Sequence, residues 1–217
     1  YYTALIGKWH LGRSSGMAPN DQGFHDSLLM ASGLYLPEDD DRVVNAKLSF
    51  DPIDQVLWSA LTYANSFNTA NHNRFKPGGY LTDYWTDEAI EVIKKNKSNP
   101  FFLYLAHFAP HTPLQATVED YQAVGPIFPH RKRVYAAMIK ALDRSVANLM
   151  QTLKSEGLDD NTIIIFTSDN GPSFKNQVDI EFFNRVAKSE DEKTQAHLNK
   201  FAMDINNICL LYTSPSP

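Results

Sequence analysis

An alternation of helical and continuously apolar patterns is the feature that most constrains the fold of this chain. Four segments carry it: a helix from Thr82 to the break at Asn99-Pro100, a strand over 101–105, a helix over 133–156 and a strand over 162–167. The two strands are apolar or β-branched runs, as expected of strands buried on both faces of a parallel sheet. Helix, strand, helix, strand therefore predicts an α/β fold with a largely parallel sheet and helices on both faces.

A shorter apolar run, residues 4–6, leads into Gly7-Lys8-Trp9-His10-Leu11-Gly12 near the start of the chain. Residues two apart on a strand point to the same side of the sheet. If the strand continues to Trp9, Lys8 and His10 can both reach one anionic group beyond its carboxyl end, where such sheets bind their ligands. A pair of solvated side chains is the alternative.

The strand over 101–105 runs directly into Ala106-His107-Phe108-Ala109-Pro110-His111-Thr112-Pro113. Two prolines stiffen this exit, so a side chain mounted there is held in place. A His in such a loop can serve as a general acid near neutral pH. The alternative is that His107 and His111 only satisfy backbone groups.

The strand over 162–167 is followed at once by Ser168-Asp169-Asn170-Gly171-Pro172. The carboxylate of Asp169 and the amide oxygen of Asn170 can both face a hard cation such as calcium. Asp-Asn-Gly is also a common turn sequence, so a plain turn is the alternative.

Composition narrows the possible classes of protein. With 217 residues and 43% apolar content, the chain can bury the core of one domain or most of one. A net charge of -5, with no basic run beyond the short cluster at 130–133, argues against nucleic acid as a partner. No apolar stretch approaches the roughly 20 residues that span a bilayer, so no membrane span is expected. The single Cys209 excludes a disulfide framework within the chain.

Together, the three motifs resemble segments of the formylglycine-dependent sulfatases, which belong to the alkaline-phosphatase superfamily. Gly7-Lys8-Trp9-His10-Leu11-Gly12 is similar to the second sulfatase signature. The segment over 102–113 is similar to the one that supplies a substrate-contacting His, here His111. Ser168-Asp169-Asn170-Gly171 is similar to the metal-binding strand end. The resemblance covers residues 5–172 and implies an alkaline-phosphatase-like α/β sandwich.

The resemblance also implies a calcium-dependent sulfuric ester hydrolase whose nucleophile is a formylglycine made from a Cys or Ser. Lys8 would contact the sulfate and the formylglycine, and His10 would help return the formylglycine hydrate to the aldehyde. His111 would assist protonation of the leaving group, whereas His107 is expected to be structural. The calcium ligands would be Asp169 and Asn170.

The substrate implied by the resemblance is a sulfated small molecule or a sulfated carbohydrate, and export to the periplasm, the cell exterior or the lysosome is expected. The family's Cys/Ser-x-Pro-x-Arg nucleophile motif is absent from this chain, and the paired Asp ligands that would precede Gly7 are absent too. Cys209 is not followed by Pro-x-Arg. We therefore expect an internal fragment that is inactive by itself and whose nucleophile lies upstream.

Three sections are predicted along the chain. Residues 1–172 form part of the catalytic domain, and residues 173–207 are a polar segment that we expect to be helical. Residues 208–217 resemble translated sequencing-adapter read-through, so a non-native tail is expected there. A genuine strand followed by a Pro-rich linker is the alternative for that last section.

Two other functions fit parts of the pattern. A phosphodiesterase or phosphonate hydrolase of the same superfamily would use two transition metals and would need more His and Asp ligands. A truncated, non-catalytic remnant would keep part of the fold without the chemistry. Dependence on calcium rather than zinc would distinguish the sulfatase from the phosphodiesterase.

Overall fold

The computed structural model describes residues 1–12, 14–31, 33–48, 52–67 and 72–169. The chain divides into two compact units, residues 1–162 and 163–217. The helices and strands described below all belong to the first unit.

The first unit contains seven strands and four α-helices within the described residues. The strands are β1 (Tyr2–Gly7), β2 (Asp26–Met30), β3 (Val43–Asn45), β4 (Ala64–Phe67), β5 (His72–Phe75), β6 (Phe101–Ala106) and β7 (Gln115–Thr117). The helices are α1 (Pro52–Trp58), α2 (Leu81–Asn96), α3 (Val118–Ala123) and α4 (His130–Ser155). In the described part of the chain, no helix combines the length and apolar character that crossing a bilayer requires.

Five strands form one mixed sheet in the order β5-β4-β2-β1-β6. β1 pairs in parallel with β2 and β6, so the carboxyl ends of these three strands lie at the same edge. β4 and β5 extend the sheet in antiparallel fashion beyond β2, while β3 and β7 form a separate antiparallel pair. Residues 4–6 of the central strand are almost fully buried, which explains their continuously apolar sequence. The predicted α/β fold with a parallel core is confirmed.

The helix α2 packs against β1 and β6. The helical spacing predicts Trp85, Ala89, Val92 and Ile93 on one face, and of these all but Val92, which is partly buried, are buried. No side chain caps its start, although the sequence suggests Thr82 or Asp83 for this role. Thr82 is buried instead, and the Asp83 carboxylate pairs with Arg144 of α4 at 2.8 Å. The same Arg144 pairs with the buried Asp120 of α3, so one guanidinium joins three helices.

The helix α4 packs against α2 and begins at His130, earlier than the sequence predicts. It ends before Gly157, which has a positive φ of 70°. Glycine adopts this left-handed conformation easily and is a common residue just after the end of a helix. Part of its buried face is a line of small side chains at four-residue spacing, Ala137, Ala141 and Ser145. This line lets α2 approach closely, and the Thr86 hydroxyl of α2 lies 2.6 Å from the Ser145 hydroxyl. The helical spacing predicts a buried stripe of six residues, Val134, Met138, Leu142, Val146, Leu149 and Leu153. Beside the small side chains, Leu142, Val146 and Leu149 of this stripe are only partly buried.

The prediction of a buried strand over 162–167 is wrong. Residues 162–168 carry no regular secondary structure, and the side chains of residues 163–166 are exposed, with Ile163 at 90% and Ile165 at 82%. A β-branched run favours an extended backbone, but it becomes a strand only when a neighbouring strand supplies hydrogen bonds and packing. Strand propensity alone does not provide that neighbour.

Candidate active site

The last residues of β1 and β6, Gly7 and Ala106, are paired with each other in the sheet. Gly7 has a φ of 111°, and a Cβ atom placed on it would lie only 2.0 Å from the Ala106 carbonyl oxygen. One residue later, the Lys8 amide donates a hydrogen bond to that same carbonyl at 2.7 Å. The glycine therefore allows the two strand exits to approach closely and places Lys8 beside the loop that follows β6.

Phe108 contacts two of the predicted catalytic side chains. The Lys8 ammonium nitrogen lies 5.6 Å from the centroid of the Phe108 ring, and the His111 imidazole stacks on that ring with centroids 4.8 Å apart. Phe108 itself is 6% exposed. A cation over an aromatic face is electrostatically favourable, so the Phe108 ring stabilises the Lys8 ammonium in this position. Lys8 and His111 therefore both contact Phe108, although they lie far apart in the sequence and no local pattern links them.

His111 is held by a tight turn in which its amide donates to the Phe108 carbonyl at 2.9 Å. Its Nδ1 atom lies 2.6 Å from the Thr112 carbonyl oxygen. A carbonyl only accepts hydrogen bonds, so Nδ1 carries a proton in this arrangement. Nε2 is then the ring nitrogen that gains or loses a proton on titration, which leaves it suited to proton transfer.

His10 is placed differently from the expectation. β1 ends at Gly7, so the condition that the strand continues to Trp9 is not met, and the two-residue strand period does not apply to Lys8 and His10. The His10 side chain is exposed. The structure therefore groups Lys8 with His111 and leaves the role of His10 as a prediction.

His107 anchors the exit of β6 to α4. Its Nε2 atom lies 2.8 Å from the Ser145 hydroxyl, and its Nδ1 atom is buried without a partner among the described residues. Burial lowers the pKa of His107 to about 4, so the ring is neutral at physiological pH. These contacts are those of a structural residue, as the sequence analysis expects.

Three residues that the sequence analysis did not single out support the site. Phe108 stacks on Tyr35 with centroids 5.1 Å apart, and Tyr35 in turn stacks on Tyr80 at 5.3 Å. The Tyr35 hydroxyl donates to the His111 carbonyl oxygen at 2.9 Å. Tyr35 lies in a segment without a helical or strand period, so no local signal links it to His111.

The predicted metal ligands are only partly covered by the description. Asp169 is exposed and belongs to the second unit, and Asn170 lies outside the described residues. Among the described residues, no group of three or more His, Cys, Asp or Glu side chains is arranged to hold a metal ion. Calcium takes roughly six to eight oxygen ligands. The oxygens of Asp169 and Asn170 suit calcium in type, but two residues do not complete such a site.

Comparison with known proteins identifies related sequences. The family model "Sulfatase" matches residues 1–205. An uncharacterized sulfatase of Escherichia coli (strain K12), YdeN, is 32% identical over 210 residues, which cover 93% of this chain and 36% of that protein. Arylsulfatase J of Mus musculus is 32% identical over 177 residues, which cover 79% of this chain and 27% of that protein. The chain spans about a third of the length of these curated relatives.

A solved structure supports the same relationship. The crystal structure of Ps i-CgsB in complex with k-i-k-neocarrahexaose has a TM-score of 0.62 and 33% sequence identity to this chain. The match covers 79% of this chain and 38% of that one. Its similarity agrees with the observed sheet, whose parallel core is flanked by helices. The chain therefore belongs to the sulfatase family and has its α/β, alkaline-phosphatase-like fold.

Proposed function

We propose that this chain supplies part of the active site of a sulfuric ester hydrolase. The observation that carries the proposal is the placement of Lys8 and His111 around the Phe108 ring, at the carboxyl ends of two parallel strands. Parallel sheets bind their ligands at this edge. A cation and a proton-transferring imidazole are the groups that cleavage of an anionic ester requires.

Lys8 binds the sulfate group in this proposal. Its ammonium is a compact charge on a flexible stem, and it can contact the sulfate oxygens on which charge develops as the ester bond breaks. The Phe108 face limits where the ammonium rests before substrate arrives. Stabilisation of charge at this position lowers the barrier to cleavage.

His111 donates the proton to the bridging oxygen of the ester. Its Nδ1 proton is held by the Thr112 carbonyl, so the proton that moves is the one on Nε2. As the sulfur–oxygen bond breaks, the leaving alcohol takes this proton and departs without a negative charge, and the sulfuryl group would pass to the formylglycine nucleophile that the resemblance implies. His10 is proposed to accept a proton in the later step that regenerates the nucleophile.

Calcium and formylglycine remain part of the proposal through the resemblance, with Asp169 and Asn170 as calcium ligands. Completing the calcium site requires further oxygen ligands, and the formylglycine requires a Cys/Ser-x-Pro-x-Arg motif that these 217 residues do not contain. We expect the chain by itself to release no sulfate from an ester.

A sulfated carbohydrate is the substrate class that the relatives support best. Ps i-CgsB was crystallised with k-i-k-neocarrahexaose, and a 29% identical relative is the N-acetylgalactosamine-6-sulfatase of Mus musculus. Sulfated small molecules such as aryl sulfates remain within the proposal, because an arylsulfatase is also among the relatives. No observation above favours the phosphodiesterase alternative.

The test uses the complete coding sequence that carries these residues, expressed together with a formylglycine-generating enzyme. Released sulfate is measured for sulfated oligosaccharides, an aryl sulfate and a phosphodiester. We expect Lys8→Ala and His111→Ala each to lower kcat/KM for the sulfate ester about 100-fold or more. The control Lys95→Ala removes an exposed lysine of α2 and should leave the rate unchanged.

Two results would contradict the proposal. One is hydrolysis of the phosphodiester without hydrolysis of any sulfate ester, which would assign the site to the other enzyme class. The other is wild-type activity in both site variants, which would remove Lys8 and His111 from the chemistry. Sulfate release by the isolated 217-residue chain would contradict only its expected inactivity.

A further inference from the structure

Tyr35 makes a direct hydrogen bond to the backbone of the proposed proton donor. Its hydroxyl donates to the His111 carbonyl oxygen at 2.9 Å, across 76 positions of sequence. The Tyr35 side chain is fully buried. Burial raises the pKa of Tyr35 well above its ordinary value, so the hydroxyl keeps its proton and remains a donor.

The Tyr35 ring also supports His111 through Phe108. Tyr35 and Phe108 stack with centroids 5.1 Å apart and an angle of 29° between the rings. Phe108 and the His111 imidazole stack at 4.8 Å and 27° on the same ladder of rings. One buried side chain therefore contacts both the carbonyl of His111 and the ring on which its imidazole rests.

Tyr35 is itself held firmly in place. Its amide donates to the Gln115 side-chain oxygen at 3.0 Å, and its carbonyl accepts from the Leu81 amide at 3.1 Å. Gln115 has no exposed surface, and its side-chain nitrogen donates to the Asn45 side-chain oxygen at 3.0 Å. A residue anchored on both sides of its backbone can transmit this fixed position to the groups it touches.

We propose that Tyr35 is a positioning residue that sets the orientation of the His111 imidazole. This inference rests on the proposed function, because the orientation matters for catalysis only if His111 donates a proton. Tyr35 touches no reacting atom, so its effect passes through His111 and Phe108. In the complete enzyme, Tyr35→Phe should lower kcat about tenfold while leaving KM nearly unchanged. Proton transfer depends strongly on the orientation of the imidazole, whereas substrate binding depends on it only weakly.

Tyr80 provides a matched control in the same ladder. It is 4% exposed, stacks on Tyr35 with centroids 5.3 Å apart and donates its hydroxyl proton to the Gln115 carbonyl oxygen at 2.8 Å. Tyr35→Phe and Tyr80→Phe therefore each remove one buried hydroxyl that bonds a backbone carbonyl. A merely structural role for Tyr35 predicts similar effects of the two changes.

The experiment is NMR on the 217-residue chain without substrate, with the His111 imidazole signals assigned by comparison with His111→Gln. In the wild-type chain we expect these signals to be shifted upfield by the stacked Phe108 ring. Tyr35→Phe should move the His111 signals, because ring-current shifts depend on distance and tilt. Tyr80→Phe should leave the His111 signals unchanged at a similar loss of thermal stability.

Unchanged His111 signals in Tyr35→Phe, or equal changes in both variants, would overturn the inference. If Tyr35→Phe does not fold, Phe108→Leu serves as the second variant, since loss of the Phe108 ring should abolish the upfield shift. The wild-type spectrum is itself decisive, because His111 signals without an upfield shift would exclude the stack. This readout needs no turnover, so a positioning effect can be found even if sulfate-ester hydrolysis is not.

Discussion

Gly7 is the residue at which a single added atom would most disturb the candidate site. Its φ of 111° lies in a region that residues with a side chain rarely adopt, and its Cα faces the Ala106 carbonyl across the β1–β6 pair. Lys8 follows directly and bonds the same carbonyl. The position of the proposed sulfate-binding lysine thus depends on the absence of a side chain one residue earlier.

We expect Gly7→Ala to lower the free energy of unfolding by about 3 kcal/mol, through backbone strain and the clash with the Ala106 oxygen. Gly125→Ala is the matched control, because Gly125 also has a positive φ, 67°, but a Cβ atom added there would meet no other atom within 4 Å. It should cost only about 1 kcal/mol, which is the backbone part alone. Urea denaturation of the three proteins measures both values, and an equal loss in the two variants would show that the Ala106 contact is unimportant.

At the scale of elements, a chain of buried polar groups connects the exit of β6 to two helices. His107 contacts the Ser145 hydroxyl of α4, and Ser145 contacts the Thr86 hydroxyl of α2. The Thr86 hydroxyl also lies 2.7 Å from the Thr82 carbonyl within α2. Because His107 immediately precedes Phe108, this chain of contacts helps to hold the loop that carries the candidate site.

The low pKa of His107 predicts a pH dependence of stability. The folded-state pKa of about 4 lies below the ordinary value of 6.5, so between these values the unfolded chain binds more protons than the folded one. The contribution of neutral His107 to the free energy of unfolding is fully present above pH 6.5. It is on the order of 3 kcal/mol and is lost as the pH falls toward 4. His107→Gln should lack that part of the pH dependence.

Chemical denaturation between pH 4 and 7 provides the measurement. Gln can donate to Ser145 from its side-chain nitrogen and does not titrate in this range. His10→Gln is the control for replacing a histidine at an exposed position. If the slope in His107→Gln equals that of the wild-type chain, His107 does not titrate as its burial implies.

For the whole molecule, an exposed aromatic face on β6 is the feature with a measurable consequence. β6 is at the edge of the described five-stranded sheet, and Phe102 and Tyr104 on one of its faces are 54% and 46% exposed. Exposed apolar side chains on an edge strand favour association between molecules. The β6 face that carries Phe102 and Tyr104 is therefore the surface through which we expect copies of this chain to associate.

Tyr104→Lys should raise the concentration at which the chain self-associates, because a charge on an edge strand opposes strand-to-strand pairing. Tyr135→Lys is the control, since Tyr135 is similarly exposed, at 41%, but lies on α4. Light scattering across a concentration series measures the onset of association. Equal effects of the two substitutions would indicate that net charge, rather than the β6 surface, controls association.

Much of the architecture was predictable because local patterns report it. The apolar run over 101–105 and the helical spacing of Trp85, Ala89 and Ile93 placed β6 and α2 correctly. The start of α2 was not predictable, since Asp83 pairs with Arg144 from a distant helix instead of capping. The run over 162–167 failed for the same kind of reason: strand formation depends on a partner that local sequence does not specify.

By itself, the sequence determined the fold class, the family resemblance and the placement of Lys8 and His111 near strand ends, because short-range periodicity and motif spacing are local properties. Only the tertiary structure decided that both side chains meet at Phe108 and that Tyr35 bonds the backbone of His111. Such contacts join segments far apart in the chain, and they depend on how the sheet register and helix packing bring those segments together. The local sequence does not show which distant segments come into contact.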